Sequence, residues 1–124
     1  MWNFAKTPDF VANVKSYKDQ ESRFYLDDMF IYFSEPLKTQ ILTKAARVAE
    51  PRTGKLNYDI AGKLVGNWFK EGSGGFNGPP NIQGQVGGRY WDGHLAIAYD
   101  YIDPTSIKFS IGNYNGSATQ FGVK

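Results

Sequence analysis

Glycine does not occur before Gly54, and all 14 glycines follow Pro51. Glycine permits backbone conformations that other residues resist, and it weakens helix interiors. The chain therefore divides near Pro51 into a helix-compatible half and a half built from turns and short strands.

In the second half the period becomes two. "LNYDI" reads as a short strand, and "GKLVGNWFKE" as a strand with apolar groups on both faces. In "RYWDGHLAIAYDYID" the alternation is clearest. Trp91, Leu95, Ile97, Tyr99 and Tyr101 point one way, and Asp92, His94, Ala96, Ala98 and Asp100 the other. "DPTS" is a turn with Pro104 at its second position, and "IKFSIGNY" follows as a strand. Asn115-Gly116 is a strong type I′ hairpin signal, after which "SATQFGV" returns. Sequential strands joined by turns make an antiparallel meander of about five strands.

The first half carries helix signals. In "TPDFVANVKSYKDQ", Thr7 can cap, Pro8 suits the first helical position, and Phe10, Val14 and Tyr17 share a face. "SRFYLDDMFIYF" is ambiguous between a strand and a buried helical turn. "SEPLKTQILTKAARVA" has Ser34 as cap and a stripe of Leu37, Ile41, Ala45 and Val48. The expected fold is α+β, a single domain over residues 1–124, with N-terminal helices (1–50) packed on an antiparallel, barrel-like or partly open sheet (51–124). Five strands leave edges unless the sheet closes or meets another copy. The last strand runs to Lys124, so a homodimer is expected, or a chain cut from a longer barrel.

Composition limits the partners. Charged residues make up 21% and the formal net charge is +2, with Lys and Arg scattered, so no nucleic-acid partner is expected. There is no cysteine, which excludes disulfides, thiol nucleophiles and Cys-based zinc sites. No apolar run approaches the ~20 residues of a membrane span. "MWNFAKTPDF" has no signal-peptide pattern, which suits a soluble cytoplasmic protein or a trimmed secreted one. Aromatics at 16% are plentiful enough to line a pocket as well as fill a core.

"EGSGGFNGPPNIQGQVGGRYW" is the longest glycine-rich stretch. It misses the phosphate-loop spacing G-x-x-x-x-G-K-[ST] and the dinucleotide fingerprint, and strand sequence follows it rather than a helix. Two readings remain: a long connection, or a lid whose apolar tips, Phe76 and Ile82, fold over a cavity.

Gly66-Asn67-Trp68 resembles the G-x-W that opens the first barrel strand of lipocalins, where the Trp plugs the closed end. The resemblance implies a barrel with a Trp plug and no ligand class. The chain departs from that pattern, because too few residues follow Trp68 for eight strands and the partner Arg near the last strand is missing. More broadly, "EPRTGKLNYDIAGKLVGNWFKEG" with "YWDGHLAIAYDYIDPTSIKFSIGN" resembles an uncharacterised bacterial domain, often the C-terminal piece of larger extracytoplasmic proteins, over about residues 50–124. That resemblance implies a β-fold and no catalytic residues.

His94 is the only histidine. With Asp92 or Asp100 it is a candidate acid–base pair, since an adjacent carboxylate orients imidazole and raises its basicity. No nucleophile motif accompanies it. A metal site needs Asp92 and His94 to converge with Glu71 or Asp59, and none is expected, nor any cofactor. The favoured reading is a non-enzymatic module for a small apolar or amphipathic ligand, with Trp68, Phe76, Trp91, His94, Tyr99 and Tyr101 around the pocket. The alternatives are a dimerising structural domain and an enzyme using His94.

Overall fold

The computed structural model describes residues 1–18, 20–55, 57–78 and 90–124. The regular part is one antiparallel sheet with strand order β1-β2-β3-β4: β1 Gly66–Phe69, β2 His94–Tyr99, β3 Ile107–Tyr114 and β4 Ser117–Val123. Each strand pairs with its sequence neighbour. The turn chemistry is as the sequence requires. Ser106 N–H donates to Asp103 C=O at 2.9 Å, and Asn115 and Gly116 both have positive φ, at 52° and 87°, the type I′ geometry that matches strand twist.

The register sets two faces. Trp68, Leu95 and Ile111 lie in line across the sheet, as do Ile97, Phe109 and Phe121, and Tyr99, Ile107 and Val123. Phe109 and Phe121 stack at 5.2 Å with their planes 9° apart. Asn67, Phe69, His94, Ala96, Ala98, Lys108 and Ser110 occupy the opposite face. The core lies behind the β1 end of that face. Tyr17 is fully buried, and its ring meets Phe24 edge-on at 4.9 Å, Phe69 edge-on at 5.7 Å, and Phe76 face-on at 5.0 Å. Val11 completes the buried cluster.

The expected barrel with packed N-terminal helices is not what the chain forms. The sheet is open, with β1 and β4 at its two edges. A closed barrel needs more and longer tilted strands than these. The outer side of β1 is also already used: Asp59 Oδ1 accepts from Asn67 N–H at 3.0 Å, and Val65 C=O accepts from Ile60 N–H at 3.0 Å. The fifth strand expected at "LNYDI" does not form; Asn57 is left-handed, with φ 53°, and Leu56 lies outside the described residues.

The expected helices shrink to short 3-10 turns and one α-helix, α1 Leu37–Leu42. In the first segment the helical stretch is the four-residue 3-10 turn Val14–Tyr17. The backbone before it is spent on distant partners instead of i−4 carbonyls. Asp9 N–H donates to Phe24 C=O, Phe10 C=O accepts from Asp59 N–H, and Ala12 N–H donates to Asp59 Oδ2, each at 2.8 Å. Phe10 and Val14, expected on a buried stripe, are about half exposed. The ambiguous segment is two 3-10 turns, Glu21–Tyr25 and Met29–Tyr32. α1 stops early, and Val48 of its expected stripe is 79% exposed. At the last residue of α1 and after it, carbonyls go to Arg52: its Nη2 donates to Leu42 C=O at 3.0 Å, and its Nε to Arg47 C=O at 2.7 Å. Arg47 is buried, and its guanidinium donates to the carbonyls of Pro51, Glu50 and Tyr101.

Candidate functional site

A cleft of about 490 Å³ runs along the outer side of β1. One wall is the stretch from Phe10 to Ser16, the other the turn from Ile60 to Lys63, and the floor is Val65, Asn67, Trp68 and Phe69. Asp59 makes this arrangement. Its two carboxylate oxygens accept from Ala12 N–H and Asn67 N–H, joining two chain segments that the sequence keeps far apart. Gly66 follows from that clamp, because a Cβ there would lie 2.5 Å from Asp59 Oδ1.

The strand register determines which backbone groups meet the cleft. Trp68 pairs with Leu95, and Lys70 N–H donates to Gly93 C=O at 2.7 Å, so the even positions of β1 bond toward β2. Asn67 and Phe69 therefore turn their N–H and C=O outward. Asp59 takes the Asn67 N–H, and the Phe69 groups face the cleft side. Apolar walls with a few convergent polar groups are the usual make-up of a small-ligand pocket.

Behind the floor, Asn67 Oδ1 is 2.9 Å from His94 Nε2, and the His94 ring lies flat on Phe69 at 4.8 Å. Burial lowers the His94 pKa below its ordinary 6.5. A carboxylate partner acts in the other direction. The Tyr17 hydroxyl is buried with no well-formed hydrogen bond among the described residues. Asn67 is near enough to favour its ionisation slightly, although its carboxamide oxygen is already held by His94. Burial, reinforced by Asp59, outweighs that and pushes the phenol far above its ordinary value of 10.

The residues expected around one pocket occupy several places. Trp68 lies in the cleft, 46% exposed, with Nε1 donating to Leu64 C=O at 2.9 Å; there is no barrel for it to plug. Phe76 belongs to the ring cluster on Tyr17 and lies under the Arg23 guanidinium at 4.8 Å. His94 is on the core side of the sheet and does not line the cleft. Tyr99 and Tyr101 line a separate hollow of about 370 Å³, with Arg47, Tyr58, Ala98 and Pro104. Trp91 and Asp92 fall in a 3-10 turn, Tyr90–Gly93, before β2 begins. Asp100 is at the far end of β2 from His94. It accepts from Ile102 and Asp103 N–H and pairs with Lys108 at 3.4 Å, and these contacts, the Asp103 N–H foremost, lower its pKa. Ile82 lies outside the described residues.

Among the described residues no group of three His, Asp or Glu side chains is placed to hold a metal, and no helix is long and apolar enough to cross a membrane. The opening of the glycine-rich stretch has a packing reason. Gly74 and Gly75 are left-handed, with φ 77° and 63°, and a Cβ on Gly75 would collide with the Ser16 carbonyl. Periodicity did not reveal Phe10, Ala12, Asn13, Ser16 or the Ile60–Lys63 turn as cleft residues, since they sit in irregular segments or, for Ser16, in a single 3-10 turn. The usable signal was Ala61-Gly62 beside Asp59, a turn pattern next to a short acceptor side chain. Comparison of the chain with protein-family models, curated proteins and solved structures finds no match in any of the three.

Proposed function

We propose that this chain is a non-enzymatic binding module for a small apolar or amphipathic ligand, and that the cleft beside β1 is its site. The observation that carries the reading is the cleft itself: a volume of about 490 Å³, within the size range of small-molecule pockets, with apolar walls and main-chain polar groups in one place. The apolar body of the ligand rests on Phe10, Ile60 and Trp68, and a polar group on it meets the outward N–H or C=O of Phe69. The acid–base reading has less support, because His94 lies away from the cleft, bonded to Asn67, with its basicity lowered rather than raised.

The test is titration with an environment-sensitive anilinonaphthalene sulfonate dye, followed by fluorescence. Ala61 is an exposed residue of the cleft wall, so Ala61→Trp fills the cleft without touching the core. Dye affinity is expected to fall at least ~10-fold, about 1.4 kcal/mol, with the unfolding midpoint unchanged. Equal affinity in the unaltered and filled proteins overturns the proposal.

A further inference from the structure

The two edges of the sheet are finished differently. The β1 edge is covered by Asp59 and the Ile60–Val65 turn. Among the described residues the β4 edge has no such cover. Asp100 N–H donates to Ser106 C=O at 2.9 Å, so the even positions of β2 and β3 bond to each other and the odd positions of β3 bond to β4. Thr119, Phe121 and Val123 thus face β3 through their backbone, while Ala118, Gln120 and Gly122 turn every N–H and C=O outward. None of these groups has a hydrogen-bond partner among the described residues. Ser117–Val123 holds no charge and no proline, the devices that usually protect an edge.

We propose that β4 pairs antiparallel with β4 of a second copy of this chain, about a two-fold axis through Gln120, joining two four-stranded sheets into one. The sequence suits this register. Ala118 faces Gly122 of the second copy, Gln120 faces itself, and Gly122 faces Ala118, giving about six backbone hydrogen bonds. No like charges meet, and Lys124, just beyond the strand, is already paired with Asp103 at 3.3 Å. On the apolar face Phe121 stands opposite Thr119 of the second copy, and the two Phe121 rings are diagonal neighbours, ~7–8 Å apart. Phe121 is 48% exposed and Val123 53%, so the pairing gives cover to side chains that the single chain leaves in water. The contact is a strip about 24 Å long, smaller than the ~1,200 Å² of a long-lived complex, which implies a dimer in exchange with monomer.

The lack of cysteine makes the register directly testable. At the axis the two Cα atoms of residue 120 are ~5.5 Å apart, within disulfide range, whereas those of residue 117 are ~20 Å apart. Under mild oxidation Gln120→Cys is expected to form at least ~10-fold more cross-linked dimer than Ser117→Cys; equal yields overturn the proposal. In sedimentation, Gln120→Lys, which sets like charges face to face, is expected to lower the dimer fraction several-fold while leaving dye binding in the cleft unchanged. A monomer at concentrations up to ~1 mM, or a dimer indifferent to Gln120→Lys, also overturns it.

Discussion

The sheet and the N-terminal half are assembled by opposite means. In β2, β3 and β4 each strand finds its partner through the next turn, and alternation assigns the side chains to faces everywhere but at the register shift between Ile111 and Tyr114. In the N-terminal half short turns are tethered by single polar side chains to distant backbone. Asp59 holds Ala12 and Asn67, Arg47 holds Tyr101, and Lys6 bonds Leu26 C=O. The contrast teaches that a segment follows its local pattern where its hydrogen-bond partners are sequence neighbours. It departs from that pattern where distant acceptors claim its backbone groups.

If that contrast is right, the largest losses come from closing the places where irregular backbone lies against the sheet. A Cβ at Gly112 of β3 falls inside the Trp91 carbonyl, so Gly112→Ala is expected to cost about 4 kcal/mol or more, read from the urea midpoint. Gly116→Ala in the hairpin meets open space at φ 87° and is expected to cost only about 1 kcal/mol. Similar losses from the two would break the claim that tertiary approach, not turn geometry, dominates.

The Asp59 clamp tests the tethers themselves. Asp59→Ala leaves the Asn67 N–H without its acceptor and releases the Phe10–Ser16 wall, with an expected loss of about 2–3 kcal/mol and of dye binding in the cleft. Hydrogen exchange sharpens the test: Ala12 and Asn67 amides are expected to lose protection while β3–β4 amides keep theirs.

Tyr17 separates packing from hydrogen bonding. Tyr17→Phe removes a buried hydroxyl without a well-formed bond and is expected to be neutral or stabilising by up to ~1 kcal/mol. Tyr17→Ala empties the centre of the ring cluster and is expected to cost about 3–5 kcal/mol. A large loss from Tyr17→Phe would reveal a bond that holds the two halves together.

The smallest effect is in pH. Burial disfavours the charged form of His94, so its folded pKa lies below 6.5. In that interval the unfolded chain binds more protons than the folded one. The contribution of His94 to stability is therefore present above about pH 6.5 and lost as pH falls through the lowered folded value. As the only histidine, its replacement by Phe is expected to flatten the stability curve just below pH 6.5. Asp103 acts lower. The Thr105 side chain and N–H hold its pKa to about 2, so its contribution is present above about pH 3.8 and lost as pH falls toward 2.

Much of the sheet was legible in the sequence. The Asp103–Ser106 turn, the Asn115-Gly116 hairpin and the facing of Leu95, Ile97 and Tyr99 need only nearest-neighbour physics. The start of β2 was misread, because the alternation continues through Trp91 and Asp92 while the backbone there turns so that the Trp91 carbonyl can lie on Gly112. Less of the site was legible. Trp68 stood out as a ring in a G-x-W, but what makes the cleft is the reach of the Asp59 carboxylate to Ala12, and a contact between residues so far apart leaves no periodic trace.

By itself the sequence determined a glycine-rich, antiparallel meander after Pro51, since strand alternation and turn residues act over a few positions. Tertiary structure alone decided that the sheet stays open, that the first half forms short turns instead of packed helices, and that the cleft lies outside β1. The reason is the same in each case. A backbone amide has one hydrogen to give, and when Asp59, Phe24 C=O or Val65 C=O receives it, it is lost to the helix or barrel that local preference favoured.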